Sequence, residues 1–424
     1  MGRGRRVRMR AVVTVSALAL VVACAAGEGG GAPGPGGLDG PDAPLGWTAE
    51  PVFTLGGIDA PAWAAFGELR GVAFDGAGNL YVLDGQARQV TVVDPRGGFV
   101  GTVGEPGEGP GELIYPSALA VHPDGRLTVL DPGHRGFVVY GPDGAYLHDA
   151  PVDPDVGFPS GPLAVHPDGW IVGTGEGAPA ADAALDPPPA TRPVILYDDG
   201  PGGSHRRIHE AWSPPLPETR ELAPEETGGI RVRLPPLVAF HPGLLVHPLE
   251  DGRLAVVDSF AWRIELVGPD GRVTHTLERP IEPARVTAAM RERERALRLE
   301  RLVADAPRMV VNRGDGRSAG VDADVVRRLQ TARIDAMGFH AQVPVVERLG
   351  VDAEGRIRVQ RSSAEPGRPG PTDVVTPDGR YLGTLAADGP GIPAAFGPGG
   401  LAAYLEADAL GVPVVRVMRI GIGG

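Results

Sequence analysis

Short apolar runs separated by tight turns recur along this chain. Residues 118–132 read ALAVHPDGRLTVLDP: an apolar run, a Pro-Asp-Gly turn, and a second apolar run that ends in Asp. Similar sequence segments begin at Gly71 (GVAFDGAGNLYVLD) and at Pro162 (PLAVHPDGWIVGTG). Apolar runs of this length, bounded by Gly, Pro and Asp, are typical of β-strands joined by turns. The pattern therefore predicts a repeated unit built from short strands.

Each of the first two copies contains four predicted strands. They are Gly71–Phe74, Leu80–Leu83, Gln89–Val93 and Phe99–Val103, then Ala118–Val121, Leu127–Leu130, Phe137–Tyr140 and Ala145–His148. The starts at 71, 118 and 162 lie 47 and 44 residues apart. Four short strands at this period are typical of a propeller blade.

Looser copies extend the repeat to six. The sixth, near IPAAFGPGGLAAYLEAD, ends in GVPVVRVMRI after only three strands. The segment PVFTLGG at 51–57 precedes the first blade and can supply the missing strand, which would close the ring and cover two exposed sheet edges. The sequence therefore predicts an all-β fold, a six-bladed β-propeller over 47–424 that is closed by the N-terminal strand.

The first two copies resemble NHL repeats, and the chain from about 50 to 420 resembles six-bladed propeller lipoproteins of bacterial envelopes. The resemblance implies an Asp at the end of the second strand of each blade. Asp84, Asp131 and Asp258 match it, whereas Gly175 and Arg361 stand near that position in blades three and five. Asp side chains accept backbone N–H bonds in tight bends, so we interpret these residues as structural turn groups.

The N-terminus has the pattern of a lipoprotein signal. Residues 1–23 combine five arginines with a short apolar run that ends in VVA, which predicts a signal peptide rather than a spanning helix. Cys24 follows directly and is the only cysteine. This resembles the bacterial lipobox, which implies cleavage before Cys24 and a lipid on its thiol; an ordinary cleavage site is the alternative. The Gly/Pro-rich residues 24–46 predict a flexible tether.

The charge and composition of the chain restrict the classes of partner that the protein can bind. The net charge is −13, and removal of the five arginines of residues 1–23 brings it to about −18. An acidic surface repels nucleic acid, so we predict no nucleic-acid partner. With aromatic residues at 5%, a sugar-stacking site is disfavoured, and the loops suit a protein or peptide of the envelope. The membrane partner would be reached through the lipid on Cys24.

Two insertions interrupt the repeat. Residues 211–240 are Pro-rich and predict an irregular loop over one face. Residues 282–340, between blades four and five, contain two segments with helical spacing, and Glu294 and Arg298 lie four apart in the favourable order. We predict a helical insertion packed on the propeller; a lid or a docking surface for another protein is the alternative.

Recognised catalytic motifs are absent from the sequence, so the catalytic residues are unknown. His122, His166 and His247 share one repeat position in three consecutive blades. Imidazole binds zinc well, and the resemblance in fold to peptidyl-hydroxyglycine amidating lyases implies metal held by His from separate blades. The competing interpretation is that these rings brace turns. We predict no cofactor, with zinc or calcium as the alternative.

These patterns predict a lipid-anchored propeller of the cell envelope that faces the periplasm or the exterior. We expect it to act as a scaffold that binds a ligand or a protein. The alternatives are a metal-dependent lyase or hydrolase with its site in the central channel, and a purely structural envelope component.

Overall fold

The computed structural model describes residues 38–177, 190–215, 220–222, 232–234, 237–304, 310–312, 318–320, 323–363 and 368–423. Six four-stranded antiparallel sheets follow one another along the chain. The predicted six-bladed propeller is therefore confirmed. Cys24 and residues 1–23 lie outside the described residues. No helix in the described part of the chain is long and apolar enough to cross a membrane.

The first five blades each take four consecutive strands from the chain. Blade 1 contains Leu69–Phe74, Leu80–Asp84, Gln89–Val93 and Phe99–Val103. Blade 2 contains Ala118–Val121, Leu127–Asp131, Gly136–Tyr140 and Tyr146–Pro151. Blade 3 contains Phe158–Val165, Ile171–Gly177, Thr191–Asp198 and Ser204–Trp212. Blade 4 contains Leu245–Pro248, Leu254–Val257, Arg263–Val267 and Val273–Glu278. Blade 5 contains Val346–Val351, Ile357–Arg361, Thr372–Val375 and Tyr381–Leu385.

Blade 6 is assembled from both ends of the propeller sequence. Its first three strands are Ala395–Phe396, Leu401–Ala407 and Pro413–Ile422. Its fourth strand is Trp47–Gly56, which pairs antiparallel with Pro413–Ile422. Closure of the ring by the N-terminal strand is thus confirmed, and the strand 413–422 has a partner on both sides.

The hydrophobic core consists of layers between neighbouring blades. One layer joins blades 4 and 5 around the fully buried Trp262, and others join blades 1 and 2, 2 and 3, 3 and 4, and 6 and 1. Side chains alternate across a strand, so each sheet presents an apolar face to the blade on either side. No blade can bury both faces alone, which is why the repeats stabilise one another.

Residues 38–46 pack on blade 5. Leu38 contacts the layer between blades 4 and 5. The backbone N–H of Leu45 donates to the carbonyl of Thr384, and the N–H of Thr384 donates to the carbonyl of Ala43. The composition of this segment predicts part of a flexible tether, but these backbone bonds place 38–46 in the folded domain.

Both insertions lie beside blade 4 and contact each other. The larger one contains helix α1 (Ala288–Ala304) and helix α2 (Ala323–Asp335), with a hairpin of Val310–Asn312 and Ser318–Gly320 between them. The smaller one contains the paired strands Arg220–Leu222 and Val232–Leu234. Val238–Ala239 then pairs in parallel with Gly338–Phe339, which links the two insertions. The remaining short pair is Glu105–Pro106 with Glu112–Leu113.

The helices follow the expected amphipathic pattern only in part. Glu294 and Arg298 form the expected ion pair at 2.6 Å on α1. In α2, Val326, Leu329 and Ile334 are buried. Helical spacing predicts Val303 on the packed face of α1, yet its side chain is 79% exposed while Leu302 is buried. Adjacent helical positions differ by about 100° around the axis, so at this end of α1 the buried position is one residue earlier than expected.

Candidate functional site: the central channel

The aspartates at the ends of the second strands bind backbone N–H groups. The carboxylate of Asp84 accepts bonds from the N–H groups of residues 67, 68, 86 and 87. Asp131 accepts from residues 114, 115 and 133, and Asp258 accepts from Trp212 at 2.5 Å. All three side chains are buried, so these bonds replace the water that the carboxylates lose. Asp84 and Asp131 thereby fix the chain segments that enter their own blades, whereas Asp258 of blade 4 holds the end of the last strand of blade 3.

His122 belongs to a buried polar cluster between blades 2 and 3. Its Nε2 lies 3.0 Å from Oδ2 of Asp199, and its Nδ1 lies 3.0 Å from Nη2 of Arg126. Arg126 and Thr128 also donate to Asp199. Burial alone would raise the pKa of Asp199, but hydrogen bonds from His122 and Thr128 and the nearby positive charges lower it to about 2. The imidazole of His122 therefore pairs with a carboxylate of the next blade.

His166 and His247 occupy different surroundings. The Nε2 of the buried His166 lies 3.0 Å from the carbonyl oxygen of Gly252 in blade 4, while its Nδ1 accepts from the N–H of Asp168. His247 lines the central channel, and burial lowers its pKa. Among the described residues, no group of three His, Cys, Asp or Glu has an arrangement that could hold a metal ion. The structure does not bring the three rings together. The zinc or calcium site therefore stays a prediction, and its only basis is the repeat position that the three histidines share in the sequence.

The central channel is a cavity of about 850 Å³ to which all six blades contribute. Most residues of its wall are apolar, and the larger ones are Leu69, Val72, Leu119, Leu163, Leu245, Val246, Leu349, Ile392 and Phe396. The polar members of the wall are Ser117, Ser160, Thr174, His247, Arg70 and Arg348. A concave space of this size, lined by apolar residues with a few polar side chains, is the usual form of a small-molecule site.

The two arginines of the channel differ in their ionic partners. Nη2 of Arg70 lies 2.7 Å from Oε1 of Glu68, so its charge is compensated. In the described part of the chain, no carboxylate lies within 4 Å of the Arg348 guanidinium. Its Nη2 donates one long hydrogen bond, of 3.4 Å, to the carbonyl oxygen of Pro393. The side chain of Arg348 is exposed to the channel. An exposed guanidinium that forms no ion pair with a described carboxylate can bind an anion through charge-assisted hydrogen bonds.

A second cluster of titratable groups lies where the insertions meet blade 4. Nδ1 of His241 is 3.2 Å from Nε2 of His340, and the two rings are 5.3 Å apart between centroids. Burial, with the charges of Arg192 and His340, lowers the pKa of His241 to about 4. Phe240, just before it, has φ of 58°, a left-handed conformation that is strained for an aromatic residue. Repeat reasoning missed this pair because His241 directly follows the smaller insertion and His340 ends the larger one, so neither lies at a repeat position.

The chain resembles known β-propellers both in sequence and in structure. The profile of the family DUF5128, described as a 6-bladed beta-propeller, matches residues 65–160. No curated protein matches the sequence. Among solved structures, an exported protein of Bacteroides fragilis is 11% identical with a TM-score of 0.47, and the match covers 90% of this chain and 96% of that one.

Two further solved structures have functional names. A virginiamycin B lyase of Staphylococcus aureus, crystallised as an inactive variant with quinupristin, is 10% identical with a TM-score of 0.37, covering 88% of this chain and 99% of that one. A calcium-binding regucalcin of Agrobacterium tumefaciens is 14% identical with a TM-score of 0.38, covering 84% and 92%. At such TM-scores the likeness says nothing about ligand or reaction.

Proposed function

We propose that this protein is a ligand-binding propeller of the bacterial cell envelope, anchored by a lipid on Cys24, and that its ligand occupies the central channel. The observation that carries the proposal is the cavity of about 850 Å³ whose wall is built by all six blades from apolar residues and a few polar ones. Loops and channel mouths of a rigid scaffold are where binding sites concentrate. The rigid inter-blade layers hold the wall in place, so the site needs little ordering on binding.

Filling the channel tests the binding proposal. The protein would be purified from its own envelope, and native mass spectrometry would record any small molecule that remains bound. Leu245→Trp places a large ring in the channel wall, whereas Leu410→Trp adds the same ring at a side chain that is 72% exposed. We expect a bound mass with the parent and with Leu410→Trp that is lost with Leu245→Trp. Equal occupancy in all three would contradict binding in the channel.

Replacement of Cys24 tests the anchor separately. Acyl chains contribute about 0.8 kcal/mol per buried methylene, so several chains hold a protein on a membrane without a spanning helix. We expect Cys24→Ala to release the protein into the soluble fraction. If the variant still sediments with membranes at high salt, the anchor has a different origin. The binding proposal would be unaffected, since the channel lies in the folded domain.

A further inference from the structure

Blade 5 places an arginine, Arg348, at a position of the channel wall where blades 1 to 4 have small or apolar residues. Arg348 pairs with Gln360, the residue just before the end of the second strand of blade 5. The residues at the same register in blades 1 to 4 are Gly71 opposite Leu83, Ala118 opposite Leu130, Ser160 opposite Thr174, and Leu245 opposite Val257. One guanidinium therefore enters a ring of otherwise uncharged residues.

No carboxylate of the described channel wall faces Arg348. Glu347 precedes it in the strand and its charge acts on the guanidinium, but the two side chains form no ion pair and Glu347 is not part of the channel wall. The described channel wall contains no Asp or Glu at all, although the chain has 53 of them. The guanidinium is thus exposed to a space whose described wall offers it no carboxylate. Such a cation attracts an oxyanion through charge-assisted hydrogen bonds.

We infer that the ligand of the channel is an amphipathic oxyanion whose charged group binds Arg348 and whose apolar body contacts the aliphatic wall. This inference rests on the proposed function, because it specifies the ligand class of the same site. The wall offers Leu349 beside the arginine and Phe396 from blade 6 as apolar contacts. A carboxylate, sulfate or phosphate would satisfy the guanidinium equally, since each presents paired acceptor oxygens.

Two dyes that differ in one group measure the contribution of the charge. The probe is 8-anilinonaphthalene-1-sulfonate, and its matched control is N-phenyl-1-naphthylamine, the same skeleton without the sulfonate. Fluorescence titration of the full domain would give the Kd of each dye. Arg348→Gln removes the charge, Arg348→Lys retains it, and Arg70→Gln removes the other channel arginine, which is already paired with Glu68. Thermal unfolding of each variant verifies folding.

The expected result is selective. Arg348→Gln should weaken the sulfonated dye by about tenfold or more, as loss of a charged hydrogen bond predicts, and leave the neutral dye within about twofold. Arg348→Lys should recover part of the affinity, and Arg70→Gln should have a smaller effect. Displacement of the sulfonated dye by decanoate but not by decylamine would extend the result from sulfonate to carboxylate.

Two contrary results have different meanings. If Arg348→Gln binds both dyes as the parent does while Leu245→Trp excludes them, the channel binds apolar molecules and the inference about charge is wrong. If Leu245→Trp also binds both dyes normally, the dyes do not enter the channel, and the proposed function fails together with the inference.

Discussion

Arg361 and Asp373 form a two-point ion pair inside blade 5, with Nε to Oδ2 at 2.9 Å and Nη2 to Oδ1 at 2.6 Å. Arg361 stands at the end of the second strand, where blades 1, 2 and 4 have Asp84, Asp131 and Asp258. The carboxylate that this blade lacks at the strand end is thus supplied by the neighbouring strand. Asp373 is fully buried and also accepts bonds from Arg279, Trp262 and Thr384, so it is the centre of a cluster.

We predict that Asp373→Asn lowers the free energy of unfolding by about 3–5 kcal/mol, because the change leaves two guanidinium groups without their buried carboxylate. Urea denaturation of the purified domain measures this. Asp42→Asn is the matched control. Asp42 contacts the same two arginines but is 48% exposed, so its replacement should cost about 1 kcal/mol or less. Equal losses in the two variants would show that burial does not decide the energy of this cluster.

Truncation at the N-terminus tests closure of the ring. A chain that begins at residue 57 lacks the fourth strand of blade 6 and exposes the backbone groups of residues 413–422. We expect this chain to unfold at a lower urea concentration and to self-associate in analytical ultracentrifugation. A chain that begins at residue 47 keeps the closing strand and, of the described residues, loses only 38–46. It should remain monomeric; identical behaviour of the two chains would contradict a closing role for residues 47–56.

The histidine pair predicts a dependence of stability on pH. Folding lowers the pKa of His241 from 6.5 to about 4. Between these values the unfolded chain binds the proton more readily, so stability rises with pH through this window and is lost as the pH falls. We expect the unfolding midpoint to drop on going from pH 7 to pH 5, by about 2–4 °C more in the parent than in His241→Gln. His205→Gln, at an exposed histidine, is the control and should follow the parent. A parent-like drop in His241→Gln would assign the effect to other groups.

Removal of the helical insertion should leave a folded propeller. The backbone N–H of Val286 donates to the carbonyl of Ala341, and the N–H of Val343 donates to that of Ala284, so the two ends of residues 282–340 are adjacent. A short Gly-Ser bridge can therefore replace the segment. We expect retained strand content by circular dichroism and a single unfolding transition at a lower midpoint, because the contact of Phe260 with His340 is lost. Loss of cooperative unfolding would place the helices in the core.

The repeat allowed the fold to be predicted, because blade period, strand limits and the orphan strand at 51–57 are all local patterns. The features that sequence reasoning missed depend on contacts across the fold. The composition of residues 38–46 is that of a tether, and only the structure shows their hydrogen bonds to the backbone of Thr384. Likewise, no sequence pattern marks Asp373 as the partner of Arg361. Arg348 looks like any charged residue of a strand until the register places it in the channel. The histidines of the repeat were visible in the sequence, yet their partners, Asp199 and Gly252, belong to the next blade.

Because blade 6 combines strands from both ends of the propeller, it also limits when the propeller can close during synthesis. Residues 47–56 are translated more than 350 residues before residues 413–422, to which they hydrogen-bond. Until then the nascent chain holds an unpaired strand and an open ring, and blade 1 lacks the neighbour that covers its apolar side. An unpaired strand edge and an uncovered apolar face favour aggregation, so we expect the chain to be most prone to aggregation before this closure.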